Sequence, residues 1–449
     1  MSINIDNLLT LLQDALERDD FDSAIKIIEA LRGPDRALLF DELEEGEQKE
    51  LLQKLKNEIS ADIIEDLDDP EAVKLVESLP LEVIIQIVDE MEPDEAADLL
   101  GDMSDEQRQA LLKRLHDADD VRPLLLYHDE SAGGLMTSEF LSLRPLMTAY
   151  EATEALREWH PDSEEIYYLF VADDNRNLVG IVGLRALILA DPNTLIEKIM
   201  DRDVIFVRVD MDQEEVARTM AHYDLAGIPV VDDENRLVGV ITHDDIVDVL
   251  EEEATEDVYR LSNISDNELD PDSPIKEQLR GRLPWLYLNT VTALFGAWVI
   301  SNYEHVIAQA AVLAIFQSVV AGQGGNTASQ NIAMAVRTLA TEKVSARAQR
   351  KIIVRQFFMG VLLGIAVGSV VALGVYLWRG NIYLSFVLGL ALVANLSFGS
   401  MIGVLVPLGL EKIGVDPALA SSVLVTAATD SLGFFIFLSL AAHFLQEIQ

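Results

Sequence analysis

Residues 417–446 read PALASSVLVTAATDSLGFFIFLSLAAHFLQ and contain a single charge, Asp430. The run is longer than the roughly 20 apolar residues that cross a bilayer. An ionised carboxylate near its middle costs at least about 2.5 kcal/mol, which makes Asp430 a functional-site candidate by default. At helical spacing Ser422, Thr426, Asp430 and Gly433 fall on one face, a narrow polar stripe of small residues on an otherwise apolar helix. Such a face can line a pore and offer a cation site. The alternative is a protonated carboxyl that bonds a neighbouring helix, with the small residues serving close packing.

Moving outward, residues 283–302, 306–336, 356–378 and 380–410 carry no Asp, Glu, Lys or Arg at all. With 417–446 they predict five transmembrane helices. The second of these holds Gly322-Gln323-Gly324-Gly325-Asn326-Thr327-Ala328-Ser329. Polar, glycine-rich backbone at membrane depth is tolerated where it is buried in protein or lines a water-filled cavity. Glycine-mediated packing would account for the glycines but not for Gln323, Asn326 and Ser329, so Asn326 is read as pore-lining. Lys276, Arg280 and Arg282 precede the first segment, six bases from Arg337 to Arg355 separate the second and third, and Lys412 follows the fourth. Only Arg379 lies on the other side, which predicts a cytosolic N-terminus and an outside C-terminus. The start of the chain is polar and acidic, unlike a signal peptide.

The 449 residues include 77 acids and 33 bases, and the imbalance is all on one side of the first span. From residue 273 onward there are 7 acids and 11 bases, which leaves 70 acids and 22 bases before it. Such a charge opposes phosphate backbones and excludes a nucleic-acid partner. The absence of cysteine excludes disulfides and thiolate metal sites. No phosphate-binding loop and no His-Glu-x-x-His pair occurs, so neither a P-loop ATPase nor an intramembrane zinc protease is supported, and no enzyme is expected.

Residues 173–181, DDNRNLVGI, recur at an offset of 59 as residues 232–240, DDENRLVGV. Each copy reads as helix, strand, acidic turn, strand and helix, which predicts two packed βαββα modules. The pattern resembles tandem CBS modules, a Bateman pair, which on its own implies regulation rather than a specific activity. Before it, Leu and Ile spaced by three and four, with Pro70-Glu71-Ala72 and Pro93-Asp94-Glu95-Ala96 recurring 23 residues apart, predict a small α-solenoid. After it, residues 245–265 continue as an acidic helix suited to act as a lever. The acidity is either a solvated surface or a set of cation sites. Crowding of Asp244, Asp245, Asp248, Glu251, Glu252, Glu253, Glu256 and Asp257 into about four helical turns favours the second, because facing acidic surfaces repel unless divalent cations screen them.

Taken together the chain resembles the MgtE family of bacterial magnesium channels and transporters over nearly its full length. Residues 132–137 (AGGLMT), 322–340 and 414–418 (GVDPA) through Asp430 carry the resemblance. It implies a multidomain membrane protein: a helical N domain (1–130), CBS modules at 131–198 and 199–244, a connecting or plug helix and linker (245–272), and a five-helix transmembrane domain (273–449). It also implies a homodimer in the cytoplasmic membrane, surrounded by lipid and needing no obligatory protein partner. Asp430 from each subunit would hold hydrated Mg²⁺ in the pore; two carboxylates across a two-fold axis neutralise a divalent ion where one does not. The resemblance further implies regulatory Mg²⁺ at Asp62, Asp94, Asp98, Glu214, Asp224, Asp245, Asp248, Glu253, Glu256 and Asp257, closing the channel when internal Mg²⁺ is high.

Two departures qualify these expectations. Ser422-Val423 stands where family members often have Asn-Pro, which affects helix geometry at the start of the last span. Ala186 follows Leu184-Arg185 where nucleotide-binding CBS modules put an aspartate, so ATP binding is expected to be weak or absent. Passive Mg²⁺ influx is the leading expectation. The alternatives are a transporter of another divalent such as Co²⁺ or Mn²⁺, or one coupled to a counter-ion, the all-oxygen surroundings of Asp430 favouring a hard ion, and a membrane-anchored sensor that conducts nothing.

Overall fold

The structure, a computed structural model, describes residues 5–67, 69–116, 118–159, 168–265, 269, 273–341, 344–419 and 421–448. The chain divides into two compact units, Met1–Leu250 and Glu251–Gln449.

The first unit opens with short helices from Ile5–Leu16 to Ala118–Leu124. Alternate helices pack on one another. Gly33–Asp41 meets Asn57–Glu65, which meets Leu81–Val88, while Glu45–Leu52 meets Asp69–Glu77, which meets Pro93–Asp102. That is the stacking of a solenoid, each pair burying the face its neighbour exposes. Both sequence-identified prolines lie in the first turn of a helix, where the missing N–H has no intrahelical partner to lose.

Two three-stranded sheets follow, β1 (Ser142–Leu143), β2 (Tyr168–Ala172) and β3 (Leu178–Gly183), then β4 (Val207–Arg208), β5 (Gly227–Val231) and β6 (Leu237–Thr242). In each, the first strand is parallel to the second and the second antiparallel to the third. The repeated acidic turns are built alike. Asp173 Oδ1 accepts from the backbone N–H of Asn175 and Asn177, and Asp232 Oδ1 from those of Glu234 and Arg236. The equivalent Arg176 and Asn235 take left-handed φ of 65° and 60°. The two turns also grip each other: Leu178 N–H donates to the Asn235 carbonyl at 3.3 Å and Leu237 N–H to the Arg176 carbonyl at 2.9 Å. One hydrophobic core runs from Leu12 through the solenoid into the second module, ending at Val249, while the first module keeps a separate core around Leu143, Leu169 and Val182.

The helix His243–Leu261 leads from the first unit into the second. Its start is fixed by Asp245, whose Oδ2 accepts from the Thr242 N–H at 3.0 Å and the Thr242 hydroxyl at 2.8 Å, a carboxylate three residues on reaching back to the cap. The second unit contains the long helices Ile275–Ser301, Val312–Thr341, Ala346–Arg379, Ile382–Lys412 and Ser421–His443. Among the described residues, four of these five are long and apolar enough to cross a membrane. Val312–Thr341 is 30 residues long but does not meet the same apolarity, because the polar stretch from Gln323 to Asn331 dilutes it. Ile382–Lys412 is the hub of the unit, 61% of its most apolar stretch being buried against 6% for Ile275–Ser301.

Backbones approach the hub closely through glycine. Gly360, Gly364 and Gly368 lie at spacing four on Ala346–Arg379, and a Cβ at Gly364 would come within 2.6 Å of Val393 Cα. In a bilayer, where lipid is as apolar as the helix, such small-residue contacts carry association. Asn395 of the hub is fully buried, donates to the Val320 carbonyl at 2.8 Å, and fills the space beside Gly324 and Gly433 of the two flanking helices. Gly364→Ala is therefore expected to destabilise the protein by about 1–3 kcal/mol. Gly374→Ala, where a Cβ meets nothing, should stay within about 0.5 kcal/mol. Thermal melting of the detergent-solubilised variants would check the contrast.

Candidate metal centres

The stripe read from the last span lies on one unbroken helix, Ser421–His443, with Ser422, Thr426 and Asp430 partly exposed. Gly433 is different. It is buried, and a Cβ there would sit 2.7 Å from Asn395 Nδ2, so close packing rather than a pore lining accounts for it. The polar patch of Val312–Thr341 divides in the same way. Gly324, Ala328 and Asn331 pack on the hub, Asn331 donating to the Ser400 carbonyl at 2.8 Å. Gly322, Asn326 and Ser329, spaced four and three apart, are exposed on another face. Close packing thus accounts for one side of the helix, and the other side is left open. Val312–Thr341 and Ser421–His443 pack against each other, Ala328, Ile332 and Val336 sharing a buried cluster with Val425 and with Ala418 just before that helix.

In the first unit, five of the expected regulatory carboxylates share one electrostatic neighbourhood. Asp62, Asp94 and Asp98 come from the solenoid, and Asp245 and Asp248 from the start of His243–Leu261. Asp62 is answered by Arg36 at 2.7 Å. Asp94 is 7% exposed, and its Oδ1 has no hydrogen-bond partner among the described residues. Burial, with Asp245 and Glu92 nearby, pushes the Asp94 carboxyl well above the usual carboxylate range. Burial raises Asp245 as well. Three acids that the sequence reading passed over belong to the group. Glu65 is pushed up to about 7 and Glu95 to about 9, burial being the largest cause in both, and Glu92 is raised. Their signal in the sequence was proximity: Glu65 lies one helical turn beyond Asp62, and Glu92 and Glu95 flank Pro93-Asp94.

The other expected ligands lie elsewhere. Glu214 lies in the first turn of the helix Gln213–Tyr223 and pairs with Arg218 at 2.6 Å, while Asp224 caps its far end in a left-handed conformation with φ of 53°. Glu253, Glu256 and Asp257 belong to the second unit. There Arg260 pairs with both Glu256 and Asp416, tying the end of His243–Leu261 to the loop before the last span. Among the described residues no group of three or more His, Asp or Glu is drawn close enough to hold a metal ion directly. An orphaned, buried carboxylate oxygen among acids held toward their neutral forms does fit a divalent cation. Mg²⁺ sheds water reluctantly and is readily held through its hydration shell.

The CBS pair offers Ala186, exposed on the helix Leu184–Leu189, at the position discussed for nucleotide binding. It carries no acceptor for a ribose hydroxyl.

Comparison with known proteins agrees with this architecture. The profile of the MgtE family, described as a divalent cation transporter, matches residues 317–440. Those of the MgtE intracellular N domain and the CBS domain match 31–130, and 132–193 with 196–252. The magnesium transporter MgtE of Thermus thermophilus is 38% identical over 99% of this chain and 100% of its own. That of Enterococcus faecalis is 36% identical over 74% of this chain and 72% of its own. The crystal structure of the cytosolic domain of the Mg²⁺ channel MgtE in complex with ATP is 37% identical, with a TM-score of 0.51 over 54% of this chain and 99% of that one. A helical N domain, a CBS pair and a C-terminal set of apolar helices, in that order and at this identity over the whole length, make the chain a multi-pass membrane protein that belongs to the MgtE family of magnesium transporters.

Proposed function

We propose that the protein is a homodimeric Mg²⁺ channel of the cytoplasmic membrane. It conducts Mg²⁺ inward passively and is closed by cytosolic Mg²⁺ acting on its acidic first unit. The observation that carries this reading is Asp430, an ionisable residue partly exposed on an otherwise uncharged helix in a chain of the magnesium transporter family. All five long helices cross the membrane in this reading, with the N-terminus cytosolic and the C-terminus outside. Val312–Thr341 is the least apolar because it lines the water-filled path with Asn326.

The driving force is the membrane potential, about 2.3 kcal/mol per charge per 100 mV and so double that for a divalent ion. Paired Asp430 carboxylates hold Mg²⁺ through its water shell, and Ser422 and Thr426 offer hydroxyls to the same shell. The absence of Cys from the chain and of His near Asp430 suits a hard cation over Co²⁺. On the cytosolic side, Mg²⁺ near Asp62, Asp94, Asp98, Asp245 and Asp248 offsets their repulsion, and its loss lets the solenoid and the helix start move apart. Glu214 and Asp224, with Glu253, Glu256 and Asp257, extend that response along the second module and the helix His243–Leu261. ATP has a lesser role here than in the solved relative, because Ala186 supplies no carboxylate.

Mg²⁺ influx into liposomes tests pore and gate together. Influx through Asp430→Ala is expected to fall by about tenfold or more, the effect of losing about 1.4 kcal/mol or more at the ion site. Wild-type influx should fall as Mg²⁺ on the cytosolic face rises. Influx unaffected by Asp430→Ala would remove the pore assignment, and influx indifferent to cytosolic-face Mg²⁺ would remove the gate.

The raised acids give a second test. With folded values of about 7 for Glu65 and about 9 for Glu95 against an ordinary 4.5, the folded state binds more protons than the unfolded. The stability these two groups contribute is therefore full below about pH 4.5 and is lost as pH rises through about 7 and then about 9. In chelator the melting midpoint should fall between about pH 5 and about pH 9, and Mg²⁺ should raise it more at the upper pH than at the lower. An Mg²⁺ effect of equal size at both would count against the cluster as the sensor.

A further inference from the structure

The start of the helix Ala346–Arg379 carries Arg347, Arg350, Lys351 and Arg355, and all four are exposed. At helical spacing they fall on one side, spread along about 12 Å of the axis. Among the described residues none of these side chains is held in an ion pair or hydrogen bond. The opposite side is committed to packing. Gln349 is buried and donates to Glu411 Oε2 at 3.3 Å, which keeps that carboxylate on the far side from the bases. Ile352 and Ile353 pack on the cluster of Ala335, Leu339, Val404 and Leu408. The rotation of the helix about its axis is therefore fixed, and the bases point away from the protein.

The basic side runs on as an apolar one. Val354, Phe358, Leu362 and Ile365 continue it and are between 50% and 63% exposed, while Gly360, Gly364 and Gly368 turn to Ile382–Lys412. A signal that orients a span needs basic residues in the flanking loop and sets no requirement on their face. Here the bases are in line with the apolar strip, and a ligand that meets both has two chemistries joined end to end. A soluble anion would use only the bases. A phospholipid uses the whole strip, its phosphate accepting from guanidinium and ammonium groups and its acyl chains covering the apolar part. Four or more bases beside a span favour an anionic lipid, by about fivefold for each base near the surface.

We propose that this face of Ala346–Arg379 docks an anionic phospholipid, its headgroup held by Arg347, Arg350, Lys351 and Arg355 and its acyl chains lying along Phe358, Leu362 and Ile365. As in the proposed function, the helix crosses the bilayer. The site is indifferent to the side its bases face and to what the pore conducts, so either of those can fail without it.

Native mass spectrometry of the full-length protein in detergent tests this, with phosphatidylglycerol and phosphatidylcholine of the same chains supplied in equal amounts. Wild type is expected to retain phosphatidylglycerol over phosphatidylcholine by about tenfold or more. The joint change Arg347→Gln, Arg350→Gln and Lys351→Gln should lower that preference about tenfold. Arg355→Gln alone should lower it about threefold and serves should the triple variant fail to fold, and Arg350→Lys should keep it. Lys276, Arg280 and Arg282 share their turns with Glu277 and do not all fall on one face. Changing those three to Gln should cost less than about threefold. Equal retention of the two lipids by wild type, or an equal loss from both triple changes, would reduce the effect to net charge and overturn the proposal. Displacement of the lipid by inorganic phosphate beyond that by chloride at matched ionic strength would make the bases a free-anion site instead. A changed oligomeric state with lipid retention intact would make the face a contact between copies of the chain.

Discussion

The 70 acids before residue 273 repel one another, and 22 bases answer them. Every element of the first unit is placed under that constraint. Where bases are present they are used locally, as in Arg36 with Asp62 and Arg218 with Glu214. Where they are missing, at Glu65, Asp94 and Glu95, burial and mutual repulsion shift the carboxyls toward their neutral forms. The apolar core that runs from the solenoid into the second CBS module holds these acids together against the repulsion.

The second unit solves a different problem. Its helices have no hydrophobic gain to make by meeting in lipid, and they rely on glycine faces and a few buried amides. The same polar residues that would be liabilities on a lipid-facing helix become useful once one side of Val312–Thr341 is packed on the hub. Its other side then presents Gly322, Asn326 and Ser329. Packing and polarity are thus sorted by face rather than by segment. Arg260, held between Glu256 and Asp416, joins the end of the connecting helix to this unit by charge, and Leu261 beside it adds an apolar contact to the cluster around Ile332 and Val425.

Much of this was legible in the sequence, for identifiable reasons. The repeat at an offset of 59 was readable because its turn needs an acceptor and a left-handed residue at fixed positions, and both copies supply them. The long apolar helices were readable because their length and lack of charge have few other uses. Asp430 stood out as the single charge in its segment. What was not legible depends on burial. Nothing in the sequence separates Glu65 or Glu95 from dozens of surface acids, since only the fold withdraws water from them. Gly433 looked like part of a polar stripe because spacing gives a face but not what the face meets. The polarity of Val312–Thr341 was visible, but its division into a packed side and an open side required the position of the hub.

Asn395 shows how tightly such an arrangement is written into its residues. One amide occupies a volume bordered by Gly324 on one helix and Gly433 on another, and it holds the Val320 carbonyl as well. Those three positions share a single space, so they are not free to vary one at a time. Alanine at either glycine would first need a smaller residue at 395. The smaller residue alone would open a void and release the Val320 carbonyl. Relatives should therefore change these sites as a set or keep them all, and a history of joint change between residues far apart in the chain would record where three helices touch.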